Sequence, residues 1–335
     1  MKEKHGNALA VSCFFLFFQS TIDKAGEMRY NVVINKKERD GKMYELIEVS
    51  EKCYYVASPA KVGIVKTGED EVILIDSGSD KDAAKKIRKI LLEKGWRLSA
   101  IYNTHSHADH IGGNRYLQDE TGCKIYAAGI ECDFTRHPIL EPSHLFAGNP
   151  PKELRHKFLL ATESICEPLT EDALPSGVTM ISLPGHSFDM VGFCVDDGTV
   201  FLADALSSEE TLSKYGVGYI YDVGAYLDTL RKIKTMTAKV FVPSHAASTA
   251  DIVPLLEYNI KKVHEVADKI LEICGTAVSF DLLLQRLFKA YGLTMNFQQY
   301  ALVGSTLRSY LVWLTEKGRI KSRIEDEMLL WESVK

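Results

Sequence analysis

Four side chains able to bind a metal fall within six residues, His105-Ser106-His107-Ala108-Asp109-His110, followed by Ile111-Gly112-Gly113. Before them stands Ala100-Ile101-Tyr102-Asn103, which has the composition of a buried strand end, and a helix-like segment follows from about His110. In an extended segment side chains two apart point the same way, so His105 and His107 can grip one ion while Ser106 faces elsewhere. Asp109 and His110 open the next element and are aimed at a second ion. Imidazole and carboxylate donors suit zinc, with iron or manganese as alternatives, and nothing here is soft enough to single out copper. A plain strand-to-helix loop capped by Asp109 would account for one histidine, but not for this spacing. Three more isolated candidates each close an apolar run: His186 after Ile181-Ser182-Leu183-Pro184-Gly185, Asp204 after Val200-Phe201-Leu202-Ala203, and His245 after Val240-Phe241-Val242-Pro243-Ser244. Strand ends are where side chains from distant parts of a chain converge.

Taken in this order, the motif and the three later residues resemble the metallo-beta-lactamase superfamily, and within it the glyoxalase-II-like hydrolases more than the lactamases. The resemblance implies an α/β fold, a four-layer αββα sandwich. It also implies one ion held by His105, His107 and His186, a second held by Asp109, His110 and His245, and the Asp204 carboxylate bridging them. The cofactor would be two zinc ions, with Asp109 and Asp204 as the catalytic carboxylates. Lactamases of the best-known type carry a cysteine where this chain has Asp204, which argues against a penicillin-like substrate. Val72-Ile73-Leu74-Ile75-Asp76-Ser77-Gly78 matches the early strand of the same superfamily, and there Asp76 would orient the ligands by hydrogen bonding. The competing role for this stretch is a helix N-cap region with Ser79 or Asp80.

The elements that must position these residues are legible in outline. The 335 residues suffice for roughly two domains, and a hydrophobic share of 46% supports a sizeable core. From Met43 to Asp76, four β-rich runs separated by turn residues suggest an antiparallel meander. Asp80–Lys94 has helical spacing and stops at Gly95, Lys124–Ala127 is a short strand, and Val178–Leu183, Gly192–Val195 and Val200–Ala203 resume the sheet with a hairpin at Asp196-Asp197-Gly198. Tyr226–Met236 and Ile252–Ile273 read as amphipathic helices flanking the strand that presents His245. Between these parts, residues 129 to 176 form a long proline-rich interruption, a candidate lid with His137, His144 and His156. Leu206 to Gly224, with Tyr215, Tyr219 and Tyr221, reads as a second loop on the substrate side.

After Gly275 the pattern becomes three helices (Ser279–Ala290, Asn296–Tyr300 and Leu302–Thr315) and a hairpin, as in a winged-helix module. The chain thus divides into an N-terminal extension (1–30), a catalytic domain (31–274) and a winged-helix-like domain (275–335). A DNA reader wants a basic third helix, and this one offers only Arg308, so packing, dimerisation or substrate covering is favoured over nucleic acid. A formal net charge of −5 carries no general signature of a nucleic-acid or membrane surface, which leaves a small-molecule substrate. The seven scattered cysteines fit reduced thiols in the cytoplasm, although the apolar run Ala8–Phe18 behind Lys2 and Lys4 leaves export open. The leading expectation is a two-zinc hydrolase of an ester, thioester, lactone or phosphodiester. The alternatives are an iron-dependent oxygenase on the same fold and a nucleic-acid-binding protein or nuclease that uses the tail.

Overall fold

The computed structural model describes residues 43–334 and, ahead of them, the backbone of two short strands, Gln19–Ile22 and Met28–Asn31, paired antiparallel. The apolar run Ala8–Phe18 lies outside the described residues. Two sheets stack face to face. In the first, Glu45–Glu48, Cys53–Ala57, Val62–Lys66 and Glu71–Ile75 form the antiparallel meander, and Arg97–Asn103, Lys124–Ala127 and Glu167–Pro168 are added in parallel. In the second, Val178–Ser182, Val191–Val195 and Thr199–Ser207 run antiparallel, and Val240–His245 joins parallel to the last of these.

Strand residues are apolar on both faces because both are covered, and alternation decides which core each residue enters. Ile73, Ile75, Ala100 and Tyr102 point between the sheets, where they meet Phe193, Phe201 and Val242. Val72, Leu74, Leu98 and Ile101 point the other way, onto Ala84, Ile87 and Leu91 of the helix Lys81–Lys94 and Leu117 of Asn114–Thr121. On the far side the second sheet is covered by Val223–Lys234 and Val253–Ile273, through Leu227, Leu230, Leu256 and Val263. The layers are therefore helix, sheet, sheet, helix. Burying each such leucine or isoleucine contributes about 1.5–3 kcal/mol, so the two helical layers are held by apolar contact rather than by their exposed ion pairs.

The interruption at 129–176 contains two short helices, Gly129–Arg136 and Leu140–Phe146, with Pro142 in a first turn where its missing N–H costs nothing. Two expectations need correction. The helix expected from His110 to Glu120 is broken by Gly112-Gly113 into Ala108–Ile111 and Asn114–Thr121. In the tail, the two helices expected over 296–315 are one, Phe297–Glu316, because no breaker separates Tyr300 from Leu302 and Asn296 caps the start by accepting the Gln299 N–H.

The remaining tail elements are Val278–Ser279, the helix Phe280–Ala290 and the hairpin Ile320–Glu325 with Met328–Ser333; their strands form a small three-stranded sheet. Leu283, Leu287, Leu307, Tyr310 and Leu314 belong to the same apolar cluster as Leu256, Val263 and Ile270, so one core runs across the 274/275 boundary. No described helix is long and apolar enough to cross a membrane.

Candidate metal centre

All seven expected donors meet at one edge of the sandwich, delivered by the ends of strands. Arg97–Asn103 leads into His105, His107, Asp109 and His110, the loop after Val178–Ser182 carries His186, Thr199–Ser207 carries Asp204, and Val240–His245 ends on its own donor. They gather into two groups, His105 with His107 and His186, and Asp109 with His110, Asp204 and His245, the ligand atoms of each group lying within 4.8 Å of one another. Asp204 sits between the groups. Its Oδ2 is 3.5 Å from His186 Nε2 and 4.0 Å from His105 Nε2 on one side, and 3.1 Å from His245 Nε2 on the other, while Oδ1 is 3.1 Å from His110 Nε2. His107 turns Nδ1 to within 3.1 Å of His186 Nε2.

Hydrogen bonds on the outer side of the rings decide which nitrogen faces inward. Asp76, at the end of Glu71–Ile75, accepts the Thr104 N–H at 2.8 Å on Oδ1, and on Oδ2 the Thr104 hydroxyl at 2.8 Å and His110 Nδ1–H at 2.7 Å. Because the Thr104 proton is committed to Asp76, its oxygen must accept His105 Nδ1–H at 2.9 Å. His245 Nδ1–H donates to the Pro59 carbonyl at 3.0 Å. Nε2 of His105, His110 and His245 is thereby the nitrogen turned toward Asp204 and the one left for a metal. Asp76 holds φ at 65°, an uncommon conformation for a residue with a side chain, and Ala203, just before Asp204, holds 51°. The N-cap of the following helix is Asp80, not Asp76, which leaves Asp76 to the histidines.

Backbone approach is equally tight. Ser77 N–H donates to the His110 carbonyl at 2.8 Å, and Gly113 N–H to Gly78 at 3.1 Å, a contact that only glycine at 112 and 113 permits. On the opposite side, buried Lys61 donates through Nζ to the Ala246 carbonyl at 2.6 Å and through its N–H to Ser244 at 3.2 Å, fixing the turn that carries His245.

The residues present fit a cation. Among the described residues, His105 Nε2, His110 Nε2 and both Asp204 oxygens are buried without a hydrogen-bond partner. Such atoms are costly to leave unpaired, and nitrogen and oxygen donors in this number are what zinc takes up. Electrostatics differ between the groups. Burial pushes His105 and His107 well below the usual imidazole value and His186 to about 4, so these rings are neutral. Burial opposes charge on His110 and His245 too, yet Asp204 and Asp109 outweigh it, holding His110 well above its usual value and His245 at about 9. Burial disfavours the ionised forms of Asp109 and Asp204, but His110 and His245 keep both well below the usual carboxylate range.

Metal uptake must therefore displace protons from the second group. At pH 7, loading the metal-free protein with zinc should release about two protons per chain, and affinity should rise with pH toward 9. Titration calorimetry in buffers of different ionisation enthalpy measures this, and a slope near zero would contradict the charge state given to His110 and His245.

One neighbour, Glu141, carries no signal in the sequence. Glu141, buried on Leu140–Phe146, brings Oε1 to 3.9 Å from His107 Nε2, and burial, reinforced by Glu131 and Asp109, pushes its carboxyl well above the usual range. The Tyr219 ring lies 5.5 Å from His107 and 5.7 Å from His186, so that tyrosine walls the first group. His144 packs on Phe188 and Tyr221, away from the donors, and His156 contacts Gln298. His264 stands on Val253–Ile273 near Trp313.

Comparison with known proteins bears on the family and the fold. Among curated proteins, a hydroxyacylglutathione hydrolase of Methylococcus capsulatus is 30% identical over 167 residues, 48% of this chain and 54% of that protein. An atrochrysone carboxyl ACP thioesterase of Aspergillus aculeatus is 25% identical over 213 residues, 62% of this chain and 54% of that protein. The chain thus spans about half the length of these relatives. Of solved structures, a beta-lactamase domain protein from Burkholderia ambifaria superposes with a TM-score of 0.66 at 14% identity, over 87% of this chain and 94% of that one. A metallo-beta-lactamase family protein from Thermus thermophilus gives 0.65 at 17%, over 88% and 98%, and at such identities the likeness is of fold. The family model described as the metallo-beta-lactamase superfamily matches residues 57–245, more than half of the sequence and ending on the last of the seven donors, and the chain belongs to that superfamily.

Proposed function

We propose that this chain is a metal-dependent hydrolase that holds two zinc ions and cleaves a thioester or a related ester, lactone or phosphodiester. The observation that carries the reading is the convergence of seven donors from separate strands into two groups, the ligand atoms of each within 4.8 Å of one another. His105, His107 and His186 would hold one ion, Asp109, His110 and His245 the other, and Asp204 would touch both. Bound there, the two ions would supply hydroxide near neutral pH and polarise the scissile oxygen.

The protein's own groups do the rest. Thr104, Asp76 and the Pro59 carbonyl fix the imidazole tautomers, and Tyr219 and Glu141 wall the pocket beside His107. Asp109 and Asp204, both buried and ionised, would be the groups to carry a proton from the attacking water to the leaving group. No serine or cysteine nucleophile enters. Thioesters come first among substrates because one relative is named an acylglutathione hydrolase and another an ACP thioesterase.

Residues 275–334 are read as a winged-helix-like cover and not as a DNA reader. Arg323 pairs with Glu325 and Glu332, and Lys321 with Glu332, so part of the basic wing is neutralised within its own hairpin. A cytoplasmic setting is supported by the six described cysteines, all free.

The test is hydrolysis of acyl-glutathione, acyl-carrier, lactone and phosphodiester panels by zinc-loaded protein, with oxygen uptake measured alongside. Thioester turnover lost on chelation and restored by zinc is the expected result. Oxygen consumption with iron and no hydrolysis would overturn it.

A further inference from the structure

Glu131 is fully buried on the helix Gly129–Arg136, in the insertion between the motif and His186, and no role has yet been given to it. Its two oxygens face in different directions. Oε2 accepts the Ser106 N–H at 2.9 Å and the Ser106 hydroxyl at 2.5 Å, from the residue between His105 and His107. Oε1 accepts the Ser187 hydroxyl at 2.6 Å and the Asp189 N–H at 3.1 Å, from the turn that begins at His186. Asp189 answers through its own carboxylate, which accepts the Ile130 N–H at 3.0 Å at the start of the same helix.

We infer that Glu131 is a positioning residue that clamps the His105–His107 loop to the His186 turn and so sets how tightly the first of the two metal groups holds its ion. The three donors of that group come from two loops that are far apart along the chain, and this carboxylate touches both within one residue of a donor. The second group has other supports, Asp76 behind His110 and Pro59 behind His245. A buried carboxylate is an expensive way to fill space, since an apolar side chain of equal volume would pack there without the desolvation cost. What it gains is two pairs of hydrogen bonds, one pair per loop.

The inference rests on the metal reading above and is separable from it. Glu131→Gln keeps the shape, but its amide has a single oxygen, and each Glu131 oxygen meets a backbone N–H that cannot turn away. Whichever way the amide sits, N–H faces N–H on one loop, and both loops serve the same ion.

The expected result is a roughly 10–100-fold weaker affinity for one ion of the two, read by competition with a chelator, with the other ion affected far less. In the cobalt-loaded protein, the visible bands of one site should shift while those of the other stay. Circular dichroism of the metal-free variant checks that it folds. Ser187→Ala, which removes one of the four bonds, should move the same affinity in the same direction by a smaller factor, and serves if Glu131→Gln fails to fold. Two ions bound by both variants as tightly as by the unaltered protein, with unchanged cobalt bands, would overturn the clamp and leave the metal centre standing. Equal weakening of both ions would also overturn it. Failure of the unaltered protein to take up ions would instead sink the metal reading.

Discussion

Purified Asp204→Ala protein should carry at least one ion fewer than the unaltered protein and should lose turnover on any substrate of the panel by about three orders of magnitude, the scale of removing one preorganised charge from a catalytic centre. The reason is position. Asp204 places its carboxylate within 4.0 Å of histidines from both groups, so its loss opens a gap in each. Its carboxylate also lies 3.1 Å from Nε2 of both His110 and His245 and does most to raise their proton affinity. Without it, both rings release their protons more readily in the metal-free state, so zinc uptake by the variant should liberate fewer protons as well as fill fewer sites. Elemental analysis beside the hydrolysis assay decides the matter, and full stoichiometry with an unchanged rate would end the bridging role.

Gly113→Ala should destabilise the protein by about 3–5 kcal/mol, on the scale of the most damaging single substitutions. The cause is space and not backbone conformation, because Gly113 has φ −88° and ψ −14°, which alanine adopts freely. A Cβ there would stand 2.2 Å from the Ser77 carbonyl oxygen and 2.9 Å from the Ala84 Cβ. Neither neighbour can yield alone, since Ser77 is bonded to the His110 carbonyl and Ala84 belongs to the helix core. Gly95→Ala is the contrast. Gly95 has φ 70° with nothing within 4 Å of a Cβ, so the cost should be only about 1 kcal/mol, from the left-handed conformation. Denaturant midpoints for the two variants would separate crowding from dihedral strain, and equal losses would show that the contact with Ser77 is not rigid.

What could be read from the residues and what could not have distinct physical causes. His186, Asp204 and His245 stood out because each ends a run of apolar residues, and a polar donor at the end of a buried strand has few other uses. The meander and the helix Lys81–Lys94 were legible because period-two and period-3.6 patterns are strong there and Asp80 and Gly95 mark both ends. The short helices in the insertion, of eight and seven residues, were not legible because closely spaced prolines leave too little sequence for a helical period to show. Phe297–Glu316 was cut in two for lack of any local signal that the turn around Tyr300 continues. Glu131 and Glu141 were invisible for another reason. A glutamate on a short helix is ordinarily a solvated charge, and only the fold brings these two against Ser106 and His107.

The Asp76 carboxylate has one further effect. Through Thr104 it holds the ring of His105, and directly it holds the ring of His110, so a single side chain serves a donor from each group. A cation held at either place would draw electron density from its imidazole and strengthen the Nδ1–H bond behind that ring, to Thr104 for His105 and to Asp76 for His110. If each group holds an ion, the two would be coupled through this one carboxylate, and a half-filled molecule would differ chemically from an empty or a full one.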